Sequence, residues 1–214
     1  LKEAGESDEA DRAGEIAGRG GIGHTVDLAI AWLRENGDRP FFLLVHSYEP
    51  HLPYRRRDFA EGLEAGSLGP SYEVAHARAV HEGRLAVGPL ERDYVRALYD
   101  GGVLESDRQL GRLLDTLEVL GLAGRTVVAL TSDHGEDMGE RDLRGLGRHQ
   151  HQLHDDLLHV PLVLHDPREA FPVRRVAAQV RLADLMPTLL ELAGLEPPAD
   201  VDGRSLLPLM RGTE

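Results

Sequence analysis

Thr126-Val127-Val128-Ala129-Leu130-Thr131-Ser132-Asp133-His134-Gly135-Glu136 passes without a break from an apolar run to a cluster of reactive side chains. The stretch from Thr126 to Thr131 is rich in β-branched residues and has strand length, as expected for a strand buried on both faces. Asp133 and His134 leave that strand directly, so a sheet can fix their side chains while Gly135 permits a tight turn behind them. An oxygen and an imidazole donor suit a hard or borderline divalent ion. Taken alone, an Asp-His pair serves as readily as a cap, a turn or an ion pair. The flanking sequence has to decide.

Upstream, Val95, Leu98, Tyr99, Val103, Leu110, Leu113, Leu114 and Leu117 mark one apolar face of a long helix, with a bend possible at Gly101-Gly102 and an end at Gly121. Before it, the polar stretch from Arg55 to Pro89 reads as an excursion with a short helix near Tyr72 to His81. Pro40 introduces Phe41-Phe42-Leu43-Leu44-Val45, a second run expected to be a strand buried on both faces, which delivers His46 through His51 to its end. Val26, Ala29, Ile30 and Leu33 recur at helical spacing before the stop at Asn36-Gly37. Residues 1–23, acidic and glycine-rich, read as a mobile lead-in, and 24–214 as part of one domain. Downstream, Val160 to Leu164 is a third strand, and a helix from about Asp184 to Ala193 stops at Gly194. Strands alternating with helices predict an α/β domain on a largely parallel sheet flanked by helices. Such sheets bind ligands at the carboxyl ends of their strands, where Ser47 to His51 and Ser132 to Glu136 both fall.

Composition narrows the chemistry. The 214 residues are 41% hydrophobic and 29% charged, with no apolar run near the length of a membrane helix. A formal charge of -13 argues against a nucleic-acid partner and requires any anionic substrate to be held by local positive charge. The absence of cysteine excludes disulfides, thiolate metal ligands and a cysteine nucleophile within these residues.

The segment from Tyr94 through Gly121 into Ser132-Asp133-His134-Gly135-Glu136 resembles the sulfatase branch of the alkaline phosphatase superfamily. Pro50, His51, Pro53 and Tyr54 resemble that family's Pro-His-x-Pro-Tyr loop after a strand. His149 to Pro167 is similar to the segment in which a lysine or histidine enters the active site before a strand, and Val201 to Leu209 carries the family's Asp-Gly-Arg-Ser-Leu sequence. The resemblance implies an alkaline-phosphatase-like fold, here incomplete, with Asp133 and His134 as metal ligands. It implies that His51 contacts the sulfuryl or phosphoryl group or the leaving-group oxygen, and that His151 does similar work from the opposite side. His149 exchanges places with His151 if the alignment shifts by two residues, so it stands as a substrate-binding candidate. Arg55, which opens the triplet Arg55-Arg56-Arg57, could steer an anion or simply form a solvated face. His154, His159 and His165 read as structural or surface residues, and Asp184 as a cap or buried acceptor.

The family's remaining acidic ligands and its Cys/Ser-x-Pro-x-Arg nucleophile segment do not occur in these residues. With Leu1 in place of methionine, the chain reads as the C-terminal part of a catalytic domain. Expressed alone, it is expected to leave strands unpaired, to aggregate and to be inactive. The implied activity of the complete protein is metal-dependent hydrolysis of a small-molecule or glycan sulfate ester. Calcium or magnesium is expected first, and the imidazole ligand leaves manganese or zinc open. Phosphodiester or phosphonate hydrolysis, phosphoethanolamine transfer, and a non-catalytic binding module are the alternatives.

Overall fold

The computed structural model describes residues 21–149, 153–168, 171, 173 and 175–213. They fall into two compact units, one of residues up to Gly121 with His134–His159, the other Leu122–Asp133 with the residues from Val160 on.

In the first unit, α1 (Gly21–Asn36) buries Ile22, Val26, Ala29, Ile30 and Leu33, the face given by its helical spacing. It begins inside the stretch read as lead-in, whose residues 1–20 lie outside the described ones. Ile22, Val26 and Ile30 pack with Leu113 of the long helix, and Arg112 pairs with Asp27 at 2.7 Å. A short helix, α2 (Val74–His81), lies where one was expected, and α3 (Pro89–Val119) runs 31 residues without interruption. Of the expected face Val95, Leu98 and Leu117 are buried, together with Tyr94 and Ala97 outside it, whereas Val103 and Leu114 are exposed. The excursion proves to be core. Tyr54, Ala60, Leu68, Tyr72 and Ala77 join Tyr94, Val95 and Leu98 in one cluster, and the backbones of Tyr54 and Tyr72 bond to each other twice at 2.9 Å.

Gly101 and Gly102, read as a place where the helix could bend, seat a loop. A Cβ on Gly101 would lie 2.7 Å from Arg56 Cβ, and one on Gly102 3.0 Å from Pro50 Cβ. Only a bare backbone lets the Glu49–Arg56 segment approach so closely. Arg56 then reaches Glu49 at 2.9 Å and Glu105 at 3.7 Å, which staples the His51 loop to α3.

Phe41 to Val45 departs from expectation. The run forms no strand among the described residues, and its exposure alternates, with Phe42 and Leu44 79% and 77% exposed. Phe41 rests edge-on against Trp32. An extended chain alternates its side chains, so with one side unpacked every second residue meets solvent.

The second unit holds β1 (Val128–Thr131) and β2 (Leu162–His165), the two downstream strands expected from the sequence. They pair antiparallel, from Val128 opposite His165 to Thr131 opposite Leu162. This is the sole strand pair among the described residues, so the parallel order expected for the sheet has no parallel pair there in which to appear. α5 (Leu185–Leu192) and α6 (Leu207–Arg211) follow. Asp184 is a buried acceptor, as expected. Burial alone would raise its pKa, but the N–H groups of Arg204 and Arg181 and the Arg181 guanidinium bring it below the usual carboxylate range. Gly203 permits the Asp202-Gly203-Arg204 backbone to lie against Ala183, and Leu206 N–H donates to buried Thr188 at 2.9 Å. The Asp-Gly-Arg-Ser-Leu segment is thus a clasp on the start of α5. Among the described residues no helix is long and apolar enough to cross a membrane.

Candidate active site

Three imidazoles meet in the first unit. The ring centre of His149 lies 4.1 Å from that of His134, nearly parallel, and 4.9 Å from that of His51; His51 and His134 are 6.4 Å apart. His51 is placed by the turn that its own N–H closes on Tyr48 O at 2.6 Å. Its Nδ1 lies 2.8 Å from Leu52 O, a contact only a protonated nitrogen makes as donor. Its Nε2 is buried and meets no hydrogen-bond partner among the described residues. A buried polar nitrogen left unsatisfied is costly, and in an active site it marks where a ligand belongs.

His134 is built similarly. Nδ1 lies 2.7 Å from Gly135 O, so the lone pair of the neutral ring belongs to Nε2, the state a metal ligand requires. Gly135 N–H donates to Leu157 O at 2.8 Å, docking the loop on the one-turn helix α4 (Asp155–Leu158). A Cβ on Gly135 would collide with Asp156 O. Gly135→Ala should therefore displace α4 and cost about 1–3 kcal/mol as overpacking, read as a lowered denaturation midpoint; an unchanged midpoint would show that the close approach is not required.

His149 is delivered by a long-range pairing. Asp137 N–H donates to Arg148 O at 3.0 Å and Gly147 N–H to Asp137 O at 2.7 Å, which folds the intervening loop back and sets His149 beside Glu136. Glu136 Oε1 lies 3.0 Å from His149 Nδ1, and Oε2 accepts the Tyr54 hydroxyl at 2.7 Å. Tyr54 is buried, and burial together with the Glu136 charge raises its pKa well above the ordinary phenol value, so it stays a donor. Sequence reasoning assigned Glu136 no role; its position two residues after His134 held no signal of a partner thirteen residues away.

Asp133 is exposed at the end of β1 in the second unit. Arg55 grips Glu73 through two bonds of 3.0 and 2.9 Å. His151 lies outside the described residues. His154, His159 and His165 are exposed, in line with the surface roles read for them.

A second acidic grouping was not anticipated. Ligand atoms of Asp137, Glu140 and Asp156 lie within 4.8 Å of one another, close enough to hold a cation. Burial raises the pKa of Asp137, and the neighbouring Asp156 and Glu140 charges add to this. Arg141 stands 2.6 Å from Asp156, and Arg96 3.9 Å from Glu140, so arginines already supply positive charge there.

The sulfatase family model matches residues 23–195. Arylsulfatase K of Xenopus laevis is 30% identical over 213 residues, 86% of this chain and 38% of its own length. Steryl-sulfatase of Mus musculus is 34% identical over 198 residues, 87% of this chain and 27% of its own length. Among solved structures, the phosphonate monoester hydrolase SpPMH from Silicibacter pomeroyi is similar with a TM-score of 0.55 and 30% identity over 72% of this chain and 28% of that one. The chain thus spans well under half the length of these relatives.

Proposed function

Because the chain belongs to the sulfatase family and has its alkaline-phosphatase-like fold, we propose that it supplies the metal-binding and imidazole part of a site that hydrolyses sulfuric esters. The observation that carries this reading is the buried Nε2 of His51, without a hydrogen-bond partner among the described residues, beside two further imidazoles. Members of the family use a divalent metal. In this reading Asp133 and His134, consecutive in the chain, hold it through a carboxylate oxygen and Nε2. Both are donors that hard and borderline ions accept. Such an ion supplies electrostatic stabilisation of the charge on the ester oxygens.

The chain's own residues do the rest. His51, its ring fixed by the Leu52 carbonyl, donates from protonated Nε2 to an oxygen of the sulfuryl group or to the departing oxygen, which leaves as the alcohol once it takes that proton. His149 contributes a second donor from the adjacent ring. The nucleophile is not among these 214 residues: no serine stands in a Ser-x-Pro-x-Arg sequence, and cysteine is absent.

Phosphonate or phosphodiester cleavage is the second reading, favoured by the likeness to SpPMH. Matched 4-nitrophenyl esters distinguish the two in the full-length protein. For the sulfate, kcat/KM should exceed that for the phenylphosphonate by more than about tenfold, or about 1.4 kcal/mol of transition-state stabilisation. The reverse order would assign the site to phosphonates, and turnover of neither would remove the hydrolase reading.

A further inference from the structure

Glu136 is an enclosed charged group beside the three imidazoles, with a side chain only 5% exposed. Neither of its oxygens faces the ring cluster unoccupied. One meets His149 Nδ1 at 3.0 Å and the other the Tyr54 hydroxyl at 2.7 Å. Tyr54 is anchored in turn, stacked on Tyr72 and edge-on to Tyr99, and Tyr72 donates to Leu146 O at 3.1 Å. The carboxylate is therefore held from the core side by a rigid aromatic group and holds the imidazole from the other.

We propose that Glu136 is the positioning residue of His149. Nδ1 and Nε2 lie on different edges of an imidazole, so seating Nδ1 on the carboxylate presents Nε2 away from Glu136 and fixes the ring against His134 and His51. Without that anchor at Nδ1 the ring could rotate about χ2, a torsion with broad wells, and lose its place in the cluster. Tyr54 performs the same service for the carboxylate, whose own end torsion is equally soft. Orientation by a buried hydrogen-bonded partner is a general means by which proteins fix a functional imidazole. The Asp137–Arg148 pairing supports it, because that pairing sets positions 136 and 149 side by side.

This inference rests on the proposed hydrolase reading, and a double-mutant cycle in the full-length protein separates the two. Glu136→Gln is isosteric: its amide can accept from His149 and donate to Tyr54, but it loses the charge-assisted bond. It should lower kcat for the aryl ester by about fivefold with KM within about twofold. Glu136→Ala should lower kcat by more than about thirtyfold. In a His149→Ala background both effects should shrink to less than about twofold, since there is no ring left to position. A Glu136→Ala enzyme with unchanged kcat, or a loss that persists undiminished in the His149→Ala background, would overturn the assignment. Should Glu136→Ala fail to fold, the glutamine cycle decides alone by the same criterion. Wild-type protein without ester turnover would instead count against the hydrolase reading.

Discussion

Alanine at His51 in the full-length protein is expected, on the proposed hydrolase reading, to lower kcat about 10²- to 10³-fold, the loss typical of one donor to transition-state charge. His51 Nε2 is buried without a partner among the described residues, and in the proposed reading its hydrogen bond goes to a ligand whose charge grows as the ester bond breaks. KM should change far less than kcat, because the interaction strengthens in the transition state. The fold should survive, since among the described residues the ring bonds to the adjacent carbonyl of Leu52. His149→Ala is expected to approach this loss, and to exceed the effect of His151→Ala. A crippled His151→Ala with a near-normal His149→Ala would return the role to the residue that sequence resemblance alone prefers. Activity in His51→Ala within twofold of wild type would mean that its buried nitrogen faces nothing that reacts.

The second large effect is loss of the metal. Asp133→Ala or His134→Ala should reduce bound divalent ion from about one per chain to a small fraction and abolish turnover, because one protein ligand fewer typically weakens a site by orders of magnitude. His134→Ala also removes the ring that stacks on His149 at 4.1 Å, so its melting temperature is to be read alongside its metal content. Full metal occupancy in either variant would sink the assignment of these two ligands. The grouping of Asp137, Glu140 and Asp156 provides the control, since alanine at Glu140 should leave the metal content unchanged if arginines alone neutralise that cluster.

The sequence and the structure agree best where a pattern is local. The face of α1, the end of α5 before Gly194 and the strand ahead of Ser132-Asp133-His134 were legible because each is written at one spacing within one element. Apart from the helix Val74–His81, Arg55 to Pro89 were not, because their apolar positions answer to neighbours far along the chain; Tyr72 packs on Tyr54 and bonds to Leu146. Gly101 and Gly102 look like a bend from composition alone, and only the approach of Arg56 and Pro50 shows why side chains are missing there. Phe41 to Val45 has the composition of a doubly buried strand, yet burial depends on what lies beside it, which composition does not contain. In the site, His51, His134 and His149 were named from motifs, whereas Glu136 emerges only when the backbone of Asp137 meets that of Arg148.

The most direct measurement is the anomalous scattering of manganese in a crystal of the full-length protein. The account predicts one strong peak about 2.0–2.6 Å from a carboxylate oxygen of Asp133 and from Nε2 of His134, the range for oxygen and nitrogen ligands of such ions. A peak among Asp137, Glu140 and Asp156, with none at Asp133 and His134, would contradict it.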